Sequence, residues 1–208
     1  MNMEKIKKGT TTIGLVCQDG VILGADKRAT MDTFIASKEV KKIYKISDNL
    51  GVTIAGGVGD ALELIRLLRY HSEIYRFNTN LSMSPKVAST LLANILQSNK
   101  YFPFLVQMLI GGINERGEPE LYNIDPLGGY TKENFTATGS GSLTAIGILE
   151  EAYKANRTTD ENLKIGIKAL NIAMRRDAAT GDGIDIVKIT KEGYFEYSKE
   201  EIEKLLKE

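Results

Sequence analysis

The sequence has one cysteine, one histidine and no tryptophan in 208 residues. Cys17 cannot form an intramolecular disulfide, and so little cysteine is typical of proteins in a reducing cytosol. His71 lies in a charged, helix-like stretch and Cys17 in an apolar run, so the chain offers no Cys–His or Ser–His pair and no Cys/His cluster for a metal. If the protein is an enzyme, its base must be another group.

Long apolar runs and an excess of one charge are also missing. No apolar run approaches the roughly 20 residues of a membrane-spanning helix, and the first residues are charged, without the apolar core of a secretory signal. The 27 basic and 27 acidic residues balance, which argues against nucleic acid as the main partner. We therefore expect a single-domain cytoplasmic protein with neither a membrane nor nucleic acid as a partner.

Hydrophobic periodicity divides the chain into groups of strands and pairs of helices. The predicted strands lie at about 11–17, 20–26 and 42–46, from 51 into a glycine-rich turn, and at about 104–112, 119–124, 134–138, 184–189 and 194–197. The predicted helices lie at about 60–76, 85–100, 142–154, 160–176 and 199–207. This order predicts an α+β fold, a four-layer α-β-β-α sandwich of two mainly antiparallel sheets with a pair of helices on each outer face.

Local signals place the ends of several elements. Ser84 before Pro85 predicts the beginning of the second helix, because serine can cap and proline is tolerated in the first turn. Thr159 is expected to cap the fourth helix. Residues 125–129 are interpreted as the turn between the strands at 119–124 and 134–138, and the residues after Arg28 as a loop.

Near the N-terminus, Gly9 is followed by Thr10, Thr11 and Thr12 and then by an apolar run. The simplest interpretation is an ordinary first strand, since threonine is β-branched and common in strands. The alternative is a cut after Gly9, which would leave Thr10 with a hydroxyl nucleophile and a free α-amine in one residue. The rest of the chain decides between them.

Five further segments accompany this one in a specific order and spacing. Together, the six segments are residues 9–14, 24–28, 40–46, 54–60, 138–142 and 175–181. In them the chain resembles the β-subunits of the archaeal proteasome core particle, which are N-terminal-nucleophile hydrolases of the threonine peptidase type. The resemblance covers essentially the whole chain after Gly9.

The resemblance implies that Thr10 is the nucleophile and that residues 1–9 are a propeptide removed by autocatalysis. Residues 10–208 would then form the catalytic domain. A free α-amine has a pKa of about 7.7–8.0 and can act as the base. While Gly9 is attached, the nitrogen of Thr10 is an amide and cannot do so. Processing at Gly9–Thr10 would therefore switch the enzyme on.

The resemblance also gives roles to charged residues near Thr10. Lys42 would lower the pKa of the hydroxyl or amine and stabilise the developing alkoxide, and Asp26 would hold Lys42 charged and oriented. Without the resemblance, Lys42 would be interpreted as a solvated charge like its neighbour Lys41. The two lysines should face opposite ways if they share a strand.

Four more residues complete the expected catalytic group. The N–H of Gly56 would donate to the oxyanion, although a turn alone would also explain this glycine. Ser140 and Asp177 would orient the amine of Thr10, although both types are common helix caps. Thr180 stands where the family often carries serine, and it keeps the hydroxyl for a supporting role.

Substrate contacts follow from the same resemblance. Thr30 and Gly56 would bind the substrate backbone like a strand. The residues expected to border the pocket for the side chain before the scissile bond are uncharged: Ala29, Val40, Tyr44, Ile54 and Val58. We therefore expect cleavage after hydrophobic residues.

The partners implied are those of a ring assembly. We expect homo-heptameric β-rings, two of them between two rings of α-subunits, with an ATP-dependent regulator supplying unfolded proteins and no metal or organic cofactor. Three alternatives stay open: a non-catalytic structural subunit of the same particle, a subunit of the related two-ring bacterial protease, and an N-terminal-nucleophile amidase acting on a small molecule. The retained Thr10, Asp26 and Lys42 argue against the first.

Overall fold

The computed structural model describes residues 9–207. Its strands are β1 (Thr11–Val16), β2 (Gly20–Asp26), β3 (Ala29–Met31), β4 (Phe34–Ser37), β5 (Ile43–Ser47), β6 (Leu50–Gly56), β7 (Val106–Ile113), β8 (Pro119–Ile124), β9 (Tyr130–Glu133), β10 (Phe135–Gly139), β11 (Ile184–Thr190) and β12 (Gly193–Glu196). Its helices are α1 (Val58–Thr79), α2 (Pro85–Ser98), α3 (Ser142–Ala152), α4 (Thr159–Arg176) and α5 (Lys199–Lys207).

Ten of these strands form two five-stranded sheets. Sheet I has the order β10-β1-β2-β11-β12, and sheet II has the order β5-β6-β7-β8-β9. Neighbouring strands are antiparallel in both. The predicted mixture of helices with antiparallel sheets is therefore confirmed.

Buried apolar side chains gather in three clusters. One joins sheet I to α3, α4 and α5, and another joins sheet II to α1 and α2. The third contains residues of both sheets, including Leu23 of β2 and Leu109 of β7. Ile22, the neighbour of Leu23, belongs instead to the cluster with α4, because successive side chains of a strand point to opposite faces. Both faces of β2 are thus buried.

The segment after Arg28, predicted as a loop, is instead a short hairpin. Strands β3 and β4 pair only with each other. Asp32, at the turn, has a φ of 55°, a left-handed conformation that aspartate tolerates better than most residues. Strands of three and four residues are too short to give a clear alternating pattern, which explains why the sequence reading missed them.

The predicted connection at residues 125–129 is also wrong in part. These residues do form a turn, in which the Asp125 carboxylate accepts the N–H groups of Leu127 and Gly129. The turn leads from β8 to β9 of the same sheet, whereas β10 pairs with β1 in sheet I. Strand β9 is polar and largely exposed, so its sequence lacks the alternating apolar pattern that would have predicted a strand.

Helix α2 begins as predicted, with the Ser84 hydroxyl accepting the N–H of Val87. Helix α4 does not, because its cap is Thr158 and not Thr159. Thr158 and Glu161 form a reciprocal capping box. Thr159 instead donates its N–H and its hydroxyl to the Asp19 carboxylate.

The predicted propeptide and the predicted absence of a membrane-spanning helix can be compared with the structure only for the described residues. Residues 1–8 of the predicted propeptide lie outside the described residues. Among residues 9–207, no helix is both long and apolar enough to cross a membrane.

The capping box predicts a measurable contribution to stability. Thr158→Ala should lower the free energy of unfolding by about 1 kcal/mol, since it leaves the Glu161 N–H in the first turn of α4 without its acceptor. Urea unfolding of the subunit measures this change. Thr90→Ala is the matched control, because Thr90 is exposed in the interior of α2, and its effect should stay within about 0.5 kcal/mol. Equal effects of the two changes would contradict the assigned cap.

Candidate active site

Thr10 lies immediately before β1, which runs between β10 and β2 in sheet I. The register places Thr11 opposite Gly139 and Thr12 opposite Ala25. The ends of β10 and β2 are therefore brought next to Thr10, which is itself buried. Residues that follow these strands or end them can reach the threonine.

The residues on either side of the Gly9–Thr10 peptide bond are both fixed by hydrogen bonds. The Thr10 hydroxyl donates to the Gly9 carbonyl oxygen at 2.6 Å, and the Thr10 N–H donates to the Ser140 hydroxyl at 3.2 Å. The N–H of Gly9 donates to the Thr30 hydroxyl at 2.9 Å. The nucleophile expected from the sequence thus contacts the carbonyl group that processing would attack.

Asp26, the last residue of β2, is fully buried and accepts four hydrogen bonds. Its donors are the Lys42 ammonium at 2.7 Å and the backbone N–H groups of Thr11 at 2.9 Å, Arg28 at 3.0 Å and Gly181 at 2.9 Å. A buried carboxylate needs this kind of compensation for its lost hydration. Asp26 therefore ties together β1, the chain after β2 and the loop that follows α4.

Lys42 is 3% exposed and donates to Asp26 and, at 2.5 Å, to the Arg28 carbonyl oxygen. Burial lowers the pKa of Lys42, and the opposing effect of the Asp26 charge is smaller. Lys41, by contrast, reaches solvent and pairs with Glu196. The two lysines thus lie in opposite environments, although both precede β5, which begins at Ile43, so strand alternation is not the reason.

Ser140, Asp177 and Thr180 form a connected group of hydrogen bonds. The Ser140 and Thr180 hydroxyls both donate to the Asp177 carboxylate. The Thr180 hydroxyl also lies 2.8 Å from that of Thr11. Thr11, interpreted from the sequence as a strand residue only, therefore belongs to this group, although no local sequence signal distinguished it from Thr12.

Gly56 ends β6 with a φ of 122°, a conformation that side chains rarely adopt. An added Cβ would also overlap the Leu105 carbonyl oxygen. Glycine is thus required at this position by the backbone, whatever its chemical role.

A cavity of about 190 Å³ opens beside Thr10. Its lining includes Thr10, Lys42 and Gly56 together with most of the expected substrate-binding residues, namely Ala29, Thr30, Val40, Ile54 and Val58. Tyr44 is not part of this lining; its hydroxyl donates to the Lys41 carbonyl and its ring packs against the cluster of sheet II. Met31 and Ala36 of the hairpin also line the cavity, and the sequence reading missed them with their strands.

A second, wider cleft of about 550 Å³ includes Gly9 in its lining. Its other lining residues include Gly56, Leu105, Ser140, Asp177 and Ala179. Gly9 thus lies between this cleft and the apolar cavity, since it lines both.

Comparisons with known proteins agree with this picture. The family described as "Proteasome subunit" matches residues 6–189. The chain is 52% identical over 204 residues to "Proteasome subunit beta" of Archaeoglobus profundus, covering 98% of this chain and 94% of that protein. The proteins of the same name from Archaeoglobus fulgidus and Methanococcus vannielii are 49% and 52% identical over 98% of this chain, covering 95% and 94% of their own lengths.

The chain belongs to the proteasome subunit family. The resemblance to archaeal proteasome β-subunits stated from the six sequence segments is thereby confirmed.

The surroundings of Asp26 predict a large effect of removing its charge. Asp26→Asn should lower the free energy of unfolding by about 3 kcal/mol or more, because Lys42 would be left buried without its counter-charge. Asp185→Asn is the matched control: Asp185 lies 3.6 Å from Lys27 in a pair that is about one-third exposed, and its removal should cost no more than about 1 kcal/mol. Urea unfolding of the two variants compares them, and a small effect of Asp26→Asn would contradict the compensation described above.

Proposed function

We propose that the chain is a catalytic threonine peptidase subunit of a proteasome core particle. The observation that carries this proposal is the 2.6 Å contact of the Thr10 hydroxyl with the Gly9 carbonyl oxygen, in a buried site that also contains the Lys42–Asp26 pair. The three apolar clusters support the α-β-β-α order of layers typical of N-terminal-nucleophile hydrolases.

The first proposed step is removal of residues 1–9. The Thr10 hydroxyl oxygen attacks the Gly9 carbonyl carbon, the Gly9–Thr10 C–N bond breaks, and the hydroxyl proton ends on the departing nitrogen. Water then hydrolyses the resulting ester. This releases residues 1–9, the lead, with a new C-terminal carboxylate and regenerates the Thr10 hydroxyl. The product has a free α-amine at Thr10.

The second proposed step is hydrolysis of a peptide substrate. The α-amine accepts the hydroxyl proton while Thr10 attacks the substrate carbonyl, and it returns the proton to the departing substrate amine. Water then cleaves the acyl-enzyme ester. Lys42, held charged by Asp26, stabilises the alkoxide, and the Gly56 N–H stabilises the oxyanion. The hydrogen bonds among Ser140, Asp177 and Thr180 support a role in orienting the amine.

The lining of the 190 Å³ cavity supports a preference for hydrophobic residues before the scissile bond. Apart from Lys42, which is paired with Asp26, the lining residues are uncharged. The Thr30 hydroxyl and the backbone of Gly56 would hold the substrate backbone alongside. A charged substrate side chain would lose its hydration there without gaining a partner.

Assembly is proposed from the relatives, which are named as proteasome β-subunits. We propose homo-heptameric β-rings stacked against α-subunit rings in the cytoplasm, with unfolded proteins supplied by an ATP-dependent regulator. The active sites would then face an inner chamber.

Replacement of the nucleophile tests the proposal. Thr10→Ala should abolish both loss of residues 1–9 and peptide hydrolysis, because among residues 9–207 no other hydroxyl donates to the Gly9 carbonyl. Thr10→Ser keeps the hydroxyl and should retain part of both activities. Intact mass and peptidase rate should be measured on particles assembled with an archaeal α-subunit. Full activity of Thr10→Ala would overturn the proposal, and inactivity of correctly assembled unmodified particles would favour a structural subunit.

The pocket chemistry gives a separate prediction about specificity. Peptides with leucine, phenylalanine or tyrosine before the scissile bond should be cleaved at least about tenfold faster than those with lysine or glutamate. Val40→Glu should shift the preference towards lysine, because it places a carboxylate in the cavity. Val40→Thr, which changes the shape little and adds no charge, is the control. Ratios of kcat/KM for the peptide pair measure the shift, and an unchanged ratio in Val40→Glu would show that the cavity lined by Val40 does not receive the side chain before the scissile bond.

A further inference from the structure

We propose that Ala179 makes glycine obligatory immediately before Thr10, so that processing selects a different residue from substrate cleavage. The inference rests on the autocatalytic cleavage proposed above. It concerns how the chain recognises its own lead, through a contact that the catalytic steps do not require.

Gly9 is buried and is contacted on three sides. Its N–H donates to the Thr30 hydroxyl at 2.9 Å, and its carbonyl oxygen accepts from the Thr10 hydroxyl at 2.6 Å. On the third side, a Cβ added to Gly9 would overlap the Cβ of Ala179. It would also lie 2.8 Å from both the Cα and the carbonyl oxygen of Ala179, closer than a Cβ normally approaches backbone atoms.

The loop that carries Ala179 is held on both sides of that residue. The Ala179 N–H donates to the Asp177 carboxylate at 3.2 Å, and the Ala178 carbonyl accepts from the Arg28 guanidinium at 2.8 Å. Farther along, the Gly181 N–H donates to the buried Asp26 carboxylate at 2.9 Å. A side chain at position 9 would therefore displace the lead more readily than the loop.

Displacement of the lead acts directly on the reacting atoms. The Gly9 carbonyl group is the one that the Thr10 hydroxyl must attack, and a misplacement of about 1 Å can cost roughly a hundredfold in rate. The Cβ of a residue at position 9 would also point towards Ala179. Processing should thus favour glycine, whereas substrates are proposed to place an apolar side chain in the neighbouring cavity.

Four precursors test the inference in a double-mutant cycle: the unmodified chain, Gly9→Ala, Ala179→Gly and the double variant, each co-expressed with an archaeal α-subunit. Loss of residues 1–9 is followed over time by intact mass, on particles shown by size-exclusion chromatography to be assembled. Gly9→Ala should slow cleavage roughly a hundredfold. Adding Ala179→Gly should raise the cleavage rate of Gly9→Ala about tenfold. The rate should not return to that of the unmodified chain, because the 2.8 Å contacts with the backbone of residue 179 persist.

Two further variants keep the test decisive. Gly59→Ala is the matched glycine control, since nothing lies within 4 Å of a Cβ at that position, and it should be processed like the unmodified chain. Ala179→Val adds bulk against the natural lead and should slow its cleavage, which gives a second test if Ala179→Gly does not assemble.

The outcomes separate this inference from the proposed function. Normal cleavage of Gly9→Ala, or a double variant as slow as Gly9→Ala, would overturn the role of Ala179; the second result would point to a backbone requirement for glycine instead. If the unmodified chain is not cut between Gly9 and Thr10, the proposed function itself fails.

Discussion

The site depends on one buried ion pair, that of Asp26 and Lys42. An uncompensated charge at either residue would be costly in a site with so little access to water, and Asp26 meets this constraint with donors from four places in the chain. The pair also spans the two sheets. Asp26 ends β2 of sheet I, whereas the Lys42 carbonyl accepts the N–H of Ile54 in β6 of sheet II. The position of the lysine relative to Thr10 is thereby fixed by the packing of both sheets.

The same pair also supports the loop that lies against Gly9. Arg28 donates its N–H to Asp26 and accepts from Lys42 through its carbonyl, while its guanidinium binds Asp182 and the Ala178 carbonyl. The loop after α4 is therefore anchored, through Arg28, to Asp26 and Lys42. We infer that a change which loosens Asp26 would disturb both the chemistry at Thr10 and the fit of Gly9. Hydrolysis and processing would then be difficult to separate by mutating the ion pair, and Ala179 offers a way to do so.

Sequence patterns predicted most of the strands and helices, because long apolar runs and helical spacing are local signals. They failed where the signal was short or polar, as in the β3–β4 hairpin and in β9, and they placed the cap of α4 one residue late because threonines stand at both 158 and 159. The choice of Lys42 over Lys41 came from the family resemblance, since adjacent lysines have the same local pattern. The contact of Ala179 with Gly9 joins residues distant in the chain, and no periodicity reports it.

The three consecutive threonines show how one local pattern can serve three environments. Alternation along β1 sends neighbouring side chains to opposite faces. The Thr11 hydroxyl meets Thr180 and, through it, the Asp177 carboxylate that also holds Ser140. The Thr12 hydroxyl lies between those of Thr138 and Thr53, where the two sheets face each other. Because the hydroxyls of Thr11 and Thr12 are already engaged with buried partners, only that of Thr10 is directed at the Gly9 carbonyl. The fold thus directs one of three chemically identical hydroxyls at that carbonyl, as the proposed role of Thr10 requires.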